Sequence, residues 1–205
     1  MFLRNRHRLW IRIVFVLGAI ALFLFGYQWG NRYQQSPSET LVIDGVLVRP
    51  PVALPDFQLK DPFGRAFDRK TLESGWSLLA FGDLSRASGQ LAVQRLIDVR
   101  NRVADQAALG QALRLVLIAT AETPNLARDF AGLSTALLIL GGEASRVDPL
   151  RNALSSTDDD APTLYVIGPG GHLLALFPDT QDGAAMAEDL KALFHALAPL
   201  TPKKT

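Results

Sequence analysis

Cysteine is absent from the 205 residues. That excludes a disulfide, a thiolate metal site, covalent haem attachment and thiol redox chemistry. The absence does not fix the compartment, because an exported protein need not carry disulfides. Histidine is scarce as well. His7, His172 and His195 are widely separated, which argues against a multi-histidine metal site. Glycine (16) and proline (12) are too few for a low-complexity or collagen-like chain. Acidic residues are missing from positions 1–35, where Arg4, Arg6, Arg8, Arg12 and Arg32 stand. Of the 21 basic and 20 acidic residues, those five basic ones sit at the N-terminus, so the remainder is net acidic by four. The body therefore has no basic stripe to displace counterions from phosphates, and nucleic acid is not an expected partner. The length suits one ordinary domain plus an appendage.

What is present begins with a long apolar run. Residues 9–29 read LWIRIVFVLGAIALFLFGYQW and carry one charge, Arg12, near one end. As a helix this run would be roughly 31 Å long, enough for a bilayer core. Arg12 can snorkel to the interface, and Trp10, Tyr27 and Trp29 stand where an aromatic belt belongs. A cleaved export signal fits less well. The run is long for such a signal, and bulky Tyr27-Gln28-Trp29 occupies the place of the small residues a peptidase needs. Four of the five arginines lie at the amino-terminal end of the run, which orients the N-terminus to the cytoplasm and everything after residue 30 across the membrane. In a Gram-negative cell that is the inner membrane with a periplasmic domain. The expected divisions are a basic N-terminus at 1–8, an anchor at 9–29, an extended linker at 30–54, a domain at 55–198 and a tail at 199–205.

Pro50, Pro51 and Pro55 forbid a helix in residues 31–56, which read as an extended spacer. Residues 57–60 and 65–68 flank the turn Asp61-Pro62-Phe63-Gly64 and predict a small hairpin. The apolar runs 77–82 (SLLAFG), 113–119 (LRLVLIA) and 136–140 (ALLIL) predict buried strands. Residues 88–107 repeat apolar side chains at helical spacing. Thr123-Pro124 predicts a helix start with a hydroxyl cap and proline at the first position, running to about Ala131. A short helix is expected at 146–154. The runs 163–167 and 172–177 flank a glycine turn and predict an antiparallel hairpin. Met186, Leu190, Leu193, Phe194 and Leu197 share one face of a final helix over 183–198. A βαβ unit followed by ββα predicts an α/β, thioredoxin-like central sheet flanked by helices on both faces.

Three segments carry a resemblance. Residues 54–82 (LPDFQLKDPFGRAFDRKTLESGWSLLAFG), 120–124 (TAETP) and 163–171 (TLYVIGPGG) occur in the order and spacing of the Sco/SenC family. Members of that family are membrane-anchored, thioredoxin-like proteins of cytochrome oxidase assembly. The resemblance implies a copper site of two cysteines, in a Cys-x-x-x-Cys loop after the FG strand end, and one histidine. This chain departs from that pattern. Counting from Phe81-Gly82 puts Arg86 and Gln90 at the two thiolate positions, and counting back from Tyr165 puts Asp160 at the histidine. A guanidinium cannot ligate a cation, and carboxylate or amide oxygen does not suit Cu(I). The resemblance therefore implies the fold and setting, with no metal, no cofactor and no redox chemistry. Thioredoxin-like folds also make Pro162, just before the 163–167 strand, a candidate cis-proline.

Two functional expectations follow. In the first, the chain is a non-catalytic, membrane-tethered module that contacts respiratory oxidase subunits or their assembly factors. In the alternative, it is a membrane-anchored enzyme or metal carrier with a new site, where Arg86, Gln90 and the acidic run Asp158-Asp159-Asp160 converge. That run also reads as a solvated loop. A domain of an envelope complex unrelated to respiration is a third expectation. Ser85 or Ser88 with His172 does not make a hydrolase, since no G-x-S-x-G elbow occurs.

Overall fold

The computed structural model describes residue 20 and residues 41–154 and 162–197. Most of the expected anchor, the aspartates 158–160 and the Ala161–Pro162 bond lie outside these residues. No helix among the described residues is long and apolar enough to cross a membrane. The chain divides at residues 41 and 42, and all elements named below belong to the second unit.

Eight strands form two sheets. They are β1 (Val46–Ala53), β2 (Gln58–Lys60), β3 (Ala66–Asp68), β4 (Trp76–Gly82), β5 (Leu113–Ala119), β6 (Leu137–Leu140), β7 (Leu164–Gly168) and β8 (His172–Phe177). The main sheet has the order β1-β8-β7-β4-β5-β6, with β4, β5 and β6 parallel and the rest antiparallel. The other two strands make the small hairpin expected around residues 61–64. Every residue of β4 is buried, Ser77 included, as its nearly continuous apolar run predicts for a strand covered on both faces.

Side-chain alternation divides the core. Leu79 and Phe81 of β4 share one face with Val116 and Ile118 of β5 and Tyr165 and Ile167 of β7. The ring of Phe81 meets Tyr165 edge-on, with centroids 5.9 Å apart. Leu59 and Phe67 of the hairpin cover this face, together with α1 (Arg69–Glu73) and α5 (Ala144–Ala153). The opposite face carries Leu78, Leu115 and Leu117. It packs under α2 (Ala87–Arg102), which buries Val93, Leu96 and Val99. Helix α2 packs in turn on α6 (Gly183–Leu197), which buries Met186, Leu190 and Leu193. Helices α3 (Ala107–Ala112) and α4 (Pro124–Ala131) complete the set.

The structure corrects the sequence reading in three places. The helix expected over 88–107 ends at Arg102, and a separate turn of helix follows at α3. Both Val103 and Leu109 are buried, so the chain bends between them to keep apolar contacts on each side. The five-residue α1 was not foreseen; Asp68 caps it by accepting from the Thr71 N–H and hydroxyl. The stretch expected as spacer contains β1, which pairs with β8 from Val46↔Leu176 to Ala53↔His172. Pro50 and Pro51 interrupt that register between Leu47 and Val52, which only an outermost strand tolerates.

A buried carboxylate fixes the entry to this unit. Asp189 on α6 accepts from the backbone N–H groups of Asp44 (3.1 Å) and Gly45 (2.8 Å) and from Gln181 Nε2 (2.6 Å). A side chain at Gly45 would meet the Phe177 ring and the Leu176 carbonyl, so glycine allows this close approach. Asp189→Ala should cost about 1–2 kcal/mol by removing the buried acceptor shared by these three partly exposed donors. Hydrogen exchange would show the effect as faster exchange at residues 44 and 45, and unchanged exchange there would contradict this assignment.

Candidate functional site

Parallel strands β4, β5 and β6 end on one side of the domain, and crevices outside strand carboxyl ends are where open α/β sheets hold ligands. Three segments meet that side: the loop 83–86 leading into α2, the turn 120–123 leading into α4, and Gly141-Gly142 after β6.

The first loop closes on itself. Asp83 Oδ1 accepts from the Ser85 N–H at 2.9 Å and from the Ser85 hydroxyl at 2.6 Å. These bonds, with Arg86 nearby, hold the Asp83 carboxyl below its usual range against a small desolvation effect. Arg86 is the N-cap residue of α2 and makes no side-chain cap bond. A cation at a helix N-terminus opposes the dipole. Its guanidinium accordingly stands 63% exposed, with Nε 3.6 Å from Asp83 Oδ2. The acidic run Asp158-Asp159-Asp160, with which Arg86 and Gln90 were expected to converge, lies outside the described residues. Gln90 sits one turn into α2, where its Nε2 donates to the Leu84 carbonyl at 3.2 Å. The loop and helix touch backbone to backbone. A Cβ on Gly89 would lie 2.1 Å from the Asp83 carbonyl oxygen, and one on Gly82 would lie 2.8 Å from the Gly89 Cα.

Copper does not fit the residues described here. One of the two described positions carries an ion-paired cation and the other an amide whose nitrogen is spent on a backbone carbonyl. Among the described residues no group of three or more His, Asp or Glu could hold a metal ion. Hydrolase chemistry has no support either. The Ser85 hydroxyl is engaged by Asp83, and His172 opens β8 at the amino end of β4, the far side of the sheet. His195 lies on α6 with Nε2 3.0 Å from Gln106 Nε2.

Two features of this side were not foreseen. Arg95, on α2, donates from Nη1 to the Pro162 carbonyl and from Nη2 to the Pro178 and Gln181 carbonyls, each at 2.9 Å. Burial draws its guanidinium below its usual value, and Asp179 opposes that shift. The candidate proline is thus buried and held through its carbonyl, while the isomer of its bond with Ala161 lies outside the described residues. The cis bond among the described residues is Arg49–Pro50. The second feature is a cavity of about 270 Å³ beyond β5 and β6, with Ala119, Ile139, Thr123 and Pro124 in its walls and Lys60 and Glu122 bordering it. Thr123 is the N-cap of α4, as expected, but its hydroxyl makes no cap bond and is shielded without a partner, because its ψ of 68° turns it from the helix. The Thr-Ala-Glu-Thr-Pro turn was the sequence signal for this corner; the cavity itself had none.

No family profile matches the chain, and no curated protein matches it. Solved structures do. Yeast Sco1 superposes with a TM-score of 0.62 at 17% identity, over 76% of this chain and 100% of that one. Arabidopsis thaliana ScoI with copper bound gives 0.61 at 13% identity, over 70% and 99%. BsSco, described as a member of the Sco family of cytochrome c oxidase assembly proteins, gives 0.58 at 13%, over 73% and 97%. The common property is the fold. The chain has the thioredoxin-like architecture of the Sco structures, with no cysteine anywhere in it.

Proposed function

We propose that the protein is a non-catalytic, membrane-tethered member of this architecture that supports assembly or stability of a cytochrome c oxidase-type complex through protein contacts. One observation carries the reading. The loop after β4 packs its backbone tightly on α2 and presents an exposed Arg86, ion-paired to Asp83, and a backbone-bonded Gln90 where the resemblance implies thiolates. Such a loop offers a surface for protein contacts and no soft ligand for Cu(I). The apolar run at 9–29 supports an inner-membrane tether with the domain outside the cytoplasm. Confinement to that surface would raise the effective concentration of a membrane-embedded partner.

The test is affinity purification of the tagged full chain from detergent-solubilised membranes. Enrichment of an oxidase subunit or oxidase assembly factor, at least tenfold over an untagged control, is the expected result. Recovery of neither would overturn the assignment.

A further inference from the structure

The corner where β5 and β6 end is braced from several directions. Lys60 and Gly141 exchange backbone hydrogen bonds of 2.9 and 2.8 Å, which fix the end of β2 to the residue after β6. Arg128 Nε on α4 donates to the Pro62 carbonyl at 3.3 Å, which holds the neighbouring turn to that helix. Asp61 stiffens the turn by accepting from the backbone N–H groups of Phe63 (2.9 Å) and Arg65 (2.8 Å) and from Arg65 Nε (2.7 Å). The cavity of about 270 Å³ lies within this frame, preformed as small-ligand pockets usually are.

The chemistry of its walls selects a ligand. Ala119, Ala127 and Ile139 line it and are themselves buried, so part of the wall is apolar. An apolar cavity of about 150 Å³ holds benzene, so this one has room for one aliphatic or aromatic side chain and little more. Lys60 and Glu122, both exposed residues, border it. Among the described residues neither side chain has a hydrogen bond or an ion pair, with the other or with any neighbour. Asp61, the second acid at the border, is engaged by the three donors named above. The cavity therefore presents one uncommitted cation and one uncommitted anion beside an apolar wall.

We infer that this cavity binds a free α-amino acid with an apolar side chain. The side chain lies against Ala119, Ala127 and Ile139, Lys60 takes the carboxylate and Glu122 takes the ammonium group. Each contact is then charge-assisted, the stronger kind of hydrogen bond. A neutral apolar molecule would leave both charges unanswered, and a residue at the end of a peptide carries only one of the two groups. This inference does not rest on the oxidase reading.

Titration calorimetry of the full chain in detergent micelles, with L-phenylalanine as the probe, tests it. A dissociation constant of about 1 mM or tighter is expected for a ligand of this size. Phenethylamine, which lacks the carboxylate, and N-acetylphenylalanine, which lacks the cation, should each bind about tenfold more weakly. Lys60→Gln should weaken phenylalanine to the level of phenethylamine, and Glu122→Gln to the level of N-acetylphenylalanine. Both positions are exposed, so both variants should keep the wild-type melting temperature. During the titration the methyl resonances of Ala127 and Ile139 should move, while those of Val99, buried on α2 over the opposite face, should not. No binding at about 10 mM phenylalanine overturns the inference. So do equal affinities for the two one-charge analogues and phenylalanine, indifference to both substitutions, or resonance shifts away from the cavity.

Discussion

A Gly89→Ala variant is expected to lose about 4 kcal/mol of stability, above the usual 1–3 kcal/mol of overpacking. The reason is what the new methyl group meets. It would lie 2.1 Å from the Asp83 carbonyl oxygen and 2.4 Å from its carbon, and backbone cannot swing aside as a side chain can. Relief requires lifting the first turn of α2 off the end of β4, which would also separate Gly82 from the Gly89 backbone. At roughly 2–4 °C per kcal/mol for a domain of this size, the melting temperature should fall by about 8–16 °C. Gln90→Ala, next along the chain, loses one partly buried side-chain bond and should cost no more than about 1 kcal/mol. Thermal unfolding followed by circular dichroism compares the two. Equal, small losses would mean that loop and helix do not touch as described.

Arg95→Met should cost about as much, roughly 4 kcal/mol, by a different route. The thioether keeps most of the apolar stem but leaves the carbonyls of Pro162, Pro178 and Gln181 without the donor that joins them. Hydrogen bonds from a charged donor contribute about 1.5–3 kcal/mol each, and three sharing one guanidinium do not add fully. Arg95→Lys should recover less than half of the loss, because an ammonium cannot reproduce a planar fork that reaches three separate acceptors. Urea unfolding measures both variants. A lysine variant as stable as the parent would show that charge rather than geometry is what matters at this point.

The central strands were legible because burial on both faces leaves a nearly continuous apolar run, and 78–82, 115–119 and 136–140 each show one. The final helix was legible from its period, and the hairpin from Asp-Pro-Phe-Gly. The short α1 and α3 span too few turns to leave a period. Strand β1 was hidden by its prolines, which forbid a helix and also mask a strand. At the site, the positions of Arg86 and Gln90 were legible by counting from Phe81-Gly82. The Arg95 clamp was not. Its acceptors are backbone carbonyls 67 to 86 positions away, and every residue type carries that group. The cavity had no signal for a related reason, since it is space left between elements.

The placing of Pro50 and Pro51 in β1 also bears on how the protein behaves in a crowd. A free sheet margin is a template, because its open donors and acceptors invite any extended segment to add on. Pro50 and Pro51 carry no N–H to offer, and the register break beside them spoils the repeat that an incoming strand must match. Strand-by-strand polymerisation is thereby blocked at this margin. Many copies can crowd together without stacking into fibres at this margin.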